Sequence, residues 1–288
     1  MTNLRLGFFF MLAAAFTYSI ISCFSYSLET RLSMPQIVFF QDFLALLTLL
    51  PWLKYKKHSL KTEHFPLHLV RDIAALAAFF FWLMSLRSLG LVNSAILQFT
   101  SPFYVPFFGY LCCRERIPKG IWKAITLGFI GVVLILKPNS NISLDGVFWG
   151  ILAGIASALG LTFLRQLNLK KEPFERTMFY LFFTSTVIMS PFAALQWKPI
   201  SWHDAGLLCL AGICILGNNI LLTRAFYYAP GAYLAPMSYL AVLFNGLWGY
   251  LFFNKTTDLI TFVCGAFVLI GASLIYFLKD KQKTPDSI

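Results

Sequence analysis

The chain has 288 residues, 58% of them hydrophobic and only 12% charged, with a formal net charge of +11. Soluble domains carry about 25% charged residues, so this composition excludes an ordinary water-soluble fold, in line with a mean hydropathy of +0.72. The positive charge does not mark a nucleic-acid binder, because the basic residues sit in short gaps between apolar runs and form no basic face.

Taken in order, the apolar runs predict ten spans of about 20 residues each, the length that crosses a bilayer as a helix. The first is about Leu6–Tyr26. It lacks a basic cluster before it and reads as a retained span, not a cleaved signal peptide. The second is about Pro35–Leu53, with proline in the first turn, where a missing N–H costs little. The polar connection KYKKHSLKTEHFP leads to spans at about Leu69–Leu89, Val92–Cys113 and Pro118–Leu136. The turn sequence KPNSNISLDG divides the chain. Five more spans follow at about Gly146–Leu164, Arg176–Leu195, Ala205–Tyr227, Gly231–Phe253 and Leu259–Phe277.

The two sets of five repeat weakly. GFFFMLAAAF at Gly7–Phe16 matches GVFWGILAGI at Gly146–Ile155 at an offset of 139, and GYL recurs at 109–111 and 249–251 at an offset of 140. Five is odd, so the halves enter the membrane from opposite faces. The expected fold is therefore an all-α integral membrane protein with ten transmembrane helices in two inverted five-helix repeats, a plan common in secondary transporters. The repeats are assigned to residues 1–138 and 144–279, with a cytoplasmic tail at 280–288. Placing the N-terminus in the cytoplasm puts 18 of the 23 lysines and arginines, Arg71 among them, in inward-facing regions. That asymmetry obeys the positive-inside rule.

Polar residues inside the spans are the candidate site. Asp42 lies about eight residues into the second span, near mid-membrane. A carboxylate facing lipid there costs roughly 3 kcal/mol or more. It is read as a proton-coupling site, as a counter-charge for a cationic substrate, or as a hydrogen-bonding residue that fixes helix packing. Asn218 and Asn219 in the eighth span and Asn245 in the ninth need partners, from substrate or from neighbouring helices. The stretch QFTSPFYVP, with Gln98, Ser101 and Tyr104, is the candidate cavity wall. Its Pro102 and Pro106 free backbone carbonyls that water, side chains or a ligand must satisfy. Pro236 marks the equivalent break in the ninth span, with Tyr239 beside it. Trp82 either stacks on a planar substrate or faces lipid.

All six cysteines fall in apolar runs with no metal-ligand spacing, so no metal is expected. No Walker loop, serine elbow or HExxH motif is present, which points away from an ATP-driven machine or a hydrolase, and no cofactor is expected.

The stretch NSAILQFTSPFYVPFFGYLCCRERIPKGIWKAITLGFIGVVLILKP, within ten short spans in two halves, resembles the EamA-domain members of the drug/metabolite transporter superfamily. The features carrying the likeness are Ser94–Ala95, Pro102, Glu115 and Gly128/Gly131, and in the second half Gly231–Ala232 and Gly249. Asn254–Lys255 stands where the family often has Glu. The segments ETRLSMPQIVFFQDF, HLVRDI and YLAPMSYL are also similar to bacterial S-adenosylmethionine uptake transporters. Those relatives typically have Arg at the place of Gln41 and Tyr-Arg-Tyr at that of Met237-Ser238-Tyr239. The resemblance implies a secondary transporter of the inner membrane. It would move a small polar metabolite, such as an amino acid, a nucleoside or an S-adenosylmethionine-like compound, by alternating access, with the proton as candidate coupling ion and lipid as its surroundings. The alternative is a membrane scaffold or assembly protein without transport activity.

Overall fold

The computed structural model describes residues 4–56, 60–98, 100–114, 126, 130, 143–229, 231–234, 237 and 240–253. The described residues form helices and no strands. In chain order they are α1 (Leu4–Leu28), α2 (Met34–Lys56), α3 (Phe65–Gln98), α4 (Ser101–Cys113), α5 (Leu144–Leu169), α6 (Phe174–Leu195), α7 (Trp202–Tyr228), α8 (Gly231–Leu234) and α9 (Leu240–Phe253). Six helical stretches of 22 to 27 residues are long and apolar enough to cross a membrane. At 1.5 Å per residue they span about 33–40 Å, enough for a hydrocarbon core near 30 Å. The protein is an integral membrane protein. The spans expected at 118–136 and 259–277 lie outside the described residues, as do Glu115, Gly128, Gly131, Pro236 and Tyr239.

Helix faces are sorted by size more than by polarity. On α1 the buried face is Gly7, Met11, Ala14, Ser22 and Ser25, at helical spacing, while Leu6, Phe9, Leu12 and Phe16 point outward. On α5 the buried face holds Gly146, Gly150, Gly154 and Gly160, and Phe148 and Ile151 point outward. In lipid no hydrophobic force draws helices together, so small residues mark the faces where backbones approach.

Two departures from the expected spans matter. The third span starts at Phe65, four residues earlier than expected, which moves Arg71 and Asp72 from the first turn of the helix to its second. The fourth span is not continuous. α3 runs through a sharp turn at Gly90, whose φ of 74° and ψ of −179° suit glycine alone, and then stops at Gln98. The chain resumes as α4 at Ser101, with proline early in its first turn and Pro106 buried within it.

The turn at Gly90 folds α3 into a hairpin that α5 covers. A side chain on Gly146 would meet Ser88 and Leu89, and one on Gly150 would meet both Leu97 and Ser85. Gly160 faces Ala75, and the end of α5 reaches α4 through Gln166 Nε2 to the Cys112 carbonyl at 3.3 Å. α1 makes the corresponding contacts with the other half of the chain. Gly7 faces Ala229 Cβ, Asn218 Nδ2 of α7 donates to the Ala14 carbonyl at 2.7 Å, and Trp248 Nε1 of α9 donates to Ser19 Oγ at 2.8 Å. The lead helix of each half is thus embedded in the opposite half. α2 and α6 pack against each other between them, and each carries an internal proline, Pro51 and Pro191, 140 residues apart.

The two ends of the bundle are pinned differently. At the end near Lys198, Gln36 Nε2 donates to the Lys198 carbonyl at 2.9 Å and its Oε1 accepts from the Lys198 amide at 3.0 Å. Arg31 there pairs with Asp204 at 2.7 Å. At the end near Lys170, Glu172 accepts from Thr62 at 2.7 Å and from Arg176 at 2.8 Å. Burial pushes the Glu172 carboxyl up, but the Thr62 and Arg176 hydrogen bonds, with the charges of Arg176 and His68, outweigh it and hold the group below its usual value.

Candidate functional site

Where α1, α2, α3, α5, α6 and α7 converge, they line a half-open cavity of about 160 Å³. Each polar group reaches it for a local reason. Asp42 lies in the middle of α2, on the side turned toward α6, and Ser185 of α6 donates to its Oδ2. Tyr18 comes from α1 and donates to Gln98 Oε1. Gln98 is the last described residue of α3, and its side chain lines the cavity. Asn218 and Asn219 come from α7. The first is tied to α1 through Ala14, and the second donates to the Ile215 carbonyl of its own helix at 3.0 Å. Arg71 enters from α3, only 3% exposed, its Nη1 donating to Asp72 Oδ1 at 3.1 Å. Ala75, Phe79, Leu161, Leu181 and Ile215 supply the apolar wall.

A second space of about 90 Å³ adjoins the first and shares Tyr18, Gln98, Ser157 and Asn218 with it. Ser101, at the start of α4, lines this annex. The structure therefore brings together Asp42, Gln98, Ser101, Asn218 and Asn219 of the residues singled out from sequence. Gln41, one residue from Asp42, turns away and donates to Ser25 at 3.3 Å.

Three candidates stand elsewhere. Trp82 is completely buried and stacks on Phe79 at 5.4 Å, behind the cavity wall. Tyr104 packs with Phe108 and Leu161 around Val105 and Ala158. Asn245 of α9 is completely buried and neither of its amide atoms has a partner among the described residues. Pro102 lies in the first turn of α4 and Pro106 in its interior, and Pro236 and Tyr239 lie outside the described residues.

Sequence reasoning missed Arg71, Ser185, Tyr18 and Ser157. Arg71 sat in plain view within HLVRDI, but a helix start at Leu69 put it in the first turn, where it was counted with the inward-facing basic residues. Nothing in the sequence distinguishes Ser185 or Tyr18 from other scattered hydroxyls. Among the described residues no group of His, Cys, Asp and Glu is placed to hold a metal ion.

A site of this kind, a half-open and largely apolar cavity at the meeting of two half-chains with polar side chains from both, is what a carrier of small polar molecules needs. Comparison with known proteins agrees. The profile of the EamA-like transporter family matches residues 5–137 and 144–277. The chain is 28% identical over 279 residues to the S-adenosylmethionine uptake transporter of Rickettsia prowazekii, covering 96% of this chain and 94% of the relative. It is 26% identical over 274 residues to a pseudopaline exporter of Pseudomonas aeruginosa, covering 93% and 95%. A riboflavin transporter of Rhizobium johnstonii is 27% identical over 284 residues, covering 96% and 92%. A protein of known crystal structure shares the fold, with a TM-score of 0.77 at 13% identity over 98% of this chain and 99% of the other. With both halves matched by one profile and polar residues from both facing one cavity, the chain belongs to the EamA-like transporter family of the drug/metabolite transporter superfamily.

Proposed function

We propose that this protein is a secondary transporter that moves a small polar metabolite across a bacterial inner membrane by alternating access. The observation that carries the reading is the cavity around Asp42, lined by α1, α2 and α3 from one half and by α5, α6 and α7 from the other. A chamber shared between halves changes its exposure when the halves rock against each other. The working topology has ten spans in two inverted sets of five, both termini in the cytoplasm, and the Lys170 end facing inward. It follows from the basic-residue asymmetry. The two pinned ends then act as gates. Glu172 with Thr62 and Arg176 closes the inward side, and Gln36 with the Lys198 backbone closes the outward side.

Asp42 is the coupling or counter-charge residue of this scheme. The relatives carry S-adenosylmethionine, pseudopaline and riboflavin in their names, so the fold serves chemically different cargo and the substrate rests on this chain's own lining.

The test is counterflow in liposomes holding purified protein. They are preloaded in turn with S-adenosylmethionine, basic amino acids, neutral amino acids or nucleosides, each against its labelled form. Accumulation of one class above protein-free liposomes is expected. Folded protein that accumulates none of the four removes the support for transport of these metabolites.

A further inference from the structure

Building on the transport reading, we propose that the cavity is made for an amino-acid-like metabolite, with its carboxylate on Arg71 and its cationic amine on Asp42. The two side chains come from different helices, α3 and α2, yet line one small space. Arg71 has more donors than the protein uses. A guanidinium presents five N–H groups in a planar fork, and the single acceptor for Arg71 among the described residues is Oδ1 of the adjacent Asp72. A charge this deeply buried is expensive unless hydrogen bonds satisfy it. The remaining Arg71 nitrogens are not walled into apolar protein without partners. They belong to a residue that borders the cavity, where a carboxylate accepts two parallel bonds from such a fork.

Asp42 supplies the opposite pole. One of its oxygens is held by Ser185, which fixes the carboxyl on the α6 side of the cavity. The amides of Gln98, Asn218 and Asn219 border the same space. The annex lined by Met11, Ala14, Ala15 and Leu222 offers an apolar pocket for a side chain. The main cavity of about 160 Å³ is well below the roughly 300–1,000 Å³ of sites for drug-sized ligands.

Charge gives the selectivity. A ligand with only a cation confronts Arg71, a ligand with only an anion confronts Asp42, and a neutral nucleoside brings neither a carboxylate for the free Arg71 donors nor an amine for Asp42, while displacing the water around both. A molecule carrying both groups satisfies each of them.

The experiment uses full-length protein in liposomes preloaded with mixed unlabelled amino acids, uridine and riboflavin. Labelled leucine, methionine, lysine, uridine and riboflavin are added outside. Accumulation of at least one amino acid is expected, with none of uridine or riboflavin. The methyl ester and the N-acetyl derivative of the accepted amino acid should compete at least tenfold more weakly than the parent, a comparison that needs no mutant. Arg71→Gln should lower amino-acid accumulation at least tenfold, and Arg71→Lys should recover part of it. If the ester and the N-acetyl compound compete as well as the parent, the two-pole site is wrong. Accumulation of uridine or riboflavin alone, unaffected by Arg71→Gln, also overturns it while leaving the carrier reading intact. If nothing accumulates, both fall.

Discussion

α1 and α5 occupy matching places in the two halves, yet they bring different things to the same cavity. Each lies against the opposite half and each buries a small-residue face. At the cavity the likeness ends. Tyr18 of α1 and Ser157 of α5 are 139 residues apart, the offset of the repeat, and both line the space. One fills it with a ring and the other leaves it open. The contact faces preserve the duplication because backbone approach tolerates only small residues on either copy. The cavity abandons it because a ligand without two-fold symmetry needs unlike walls. Asp42 follows the same rule, since α6 answers it with the hydroxyl of Ser185.

The strongest way to break the comparison is at the contact faces. A Cβ on Gly154 would collide with Thr100 Oγ1 and lie 3.1 Å from the Leu97 carbonyl, whereas one on Gly7 would lie 2.9 Å from Ala229 Cβ, a side-chain atom. Backbone yields less than a methyl group. Gly154→Leu should abolish folded protein, seen as loss of the monodisperse peak in size-exclusion chromatography. Gly154→Ala should cost more than Gly7→Ala, within the usual overpacking range of about 1–3 kcal/mol, read from thermal unfolding in detergent.

Restoring the symmetry inside the cavity should spare the fold and stop the function. Ser157→Tyr places a second ring opposite Tyr18 and should bring counterflow to the protein-free background while the unfolding midpoint moves little. Asp42→Asn is next. It keeps a partner for Ser185 and removes the charge, so transport should be lost or its dependence on pH flattened. Retained transport with unchanged pH dependence would remove Asp42 from coupling.

The smallest effects are expected where the links after the lead helices are pinned. Arg31 is 41% exposed in its pair with Asp204, and Arg176 only 17% in its pair with Glu172. Arg31→Gln should therefore cost no more than about 0.2–1 kcal/mol, and less still at high salt. Glu172 is held below its ordinary carboxyl value of 4.5. Its contribution is complete above the unfolded-state value and is lost as pH falls through the lower folded value. Wild-type protein should lose an increment of thermal stability on acidification below about pH 4.5 that Glu172→Gln does not lose.

The helices were legible in the sequence because a run of about 20 apolar residues has one inexpensive conformation in lipid. Asp42, Asn218 and Gln98 were legible because polar groups in hydrocarbon demand partners. Helix neighbours were not, since outward and inward faces are equally apolar and only the glycines of α5 hinted at a contact face. Gln98 is instructive. Its polarity marked it, and the turn at Gly90 falls in the gap expected between the spans ending at Leu89 and starting at Val92; what the sequence did not show is that the expected Val92–Cys113 span is divided between α3 and α4 near Gln98. Arg71 was passed over because, with FPLHL read as connection, it fell in the first turn and counted as one more inward-facing basic residue, whereas FPLHL is the first turn of α3 and carries Arg71 a turn deeper.

The crossing of the lead helices also has a consequence for how the protein is made. α5 emerges after α3 and α4, so the surface it covers already exists. α1 emerges first, and its partners in α7 and α9 begin at residues 202 and 240. At about 5–20 residues per second, the nascent chain holds α1 without α7 and α9 for roughly 10–40 seconds, its Gly7 and Ala14 face open to lipid or to the insertion machinery. A ribosome that stalls anywhere in the first two-thirds of the message leaves a product that cannot close around α1. Such a product should be a substrate for membrane quality control, not a stable half-carrier.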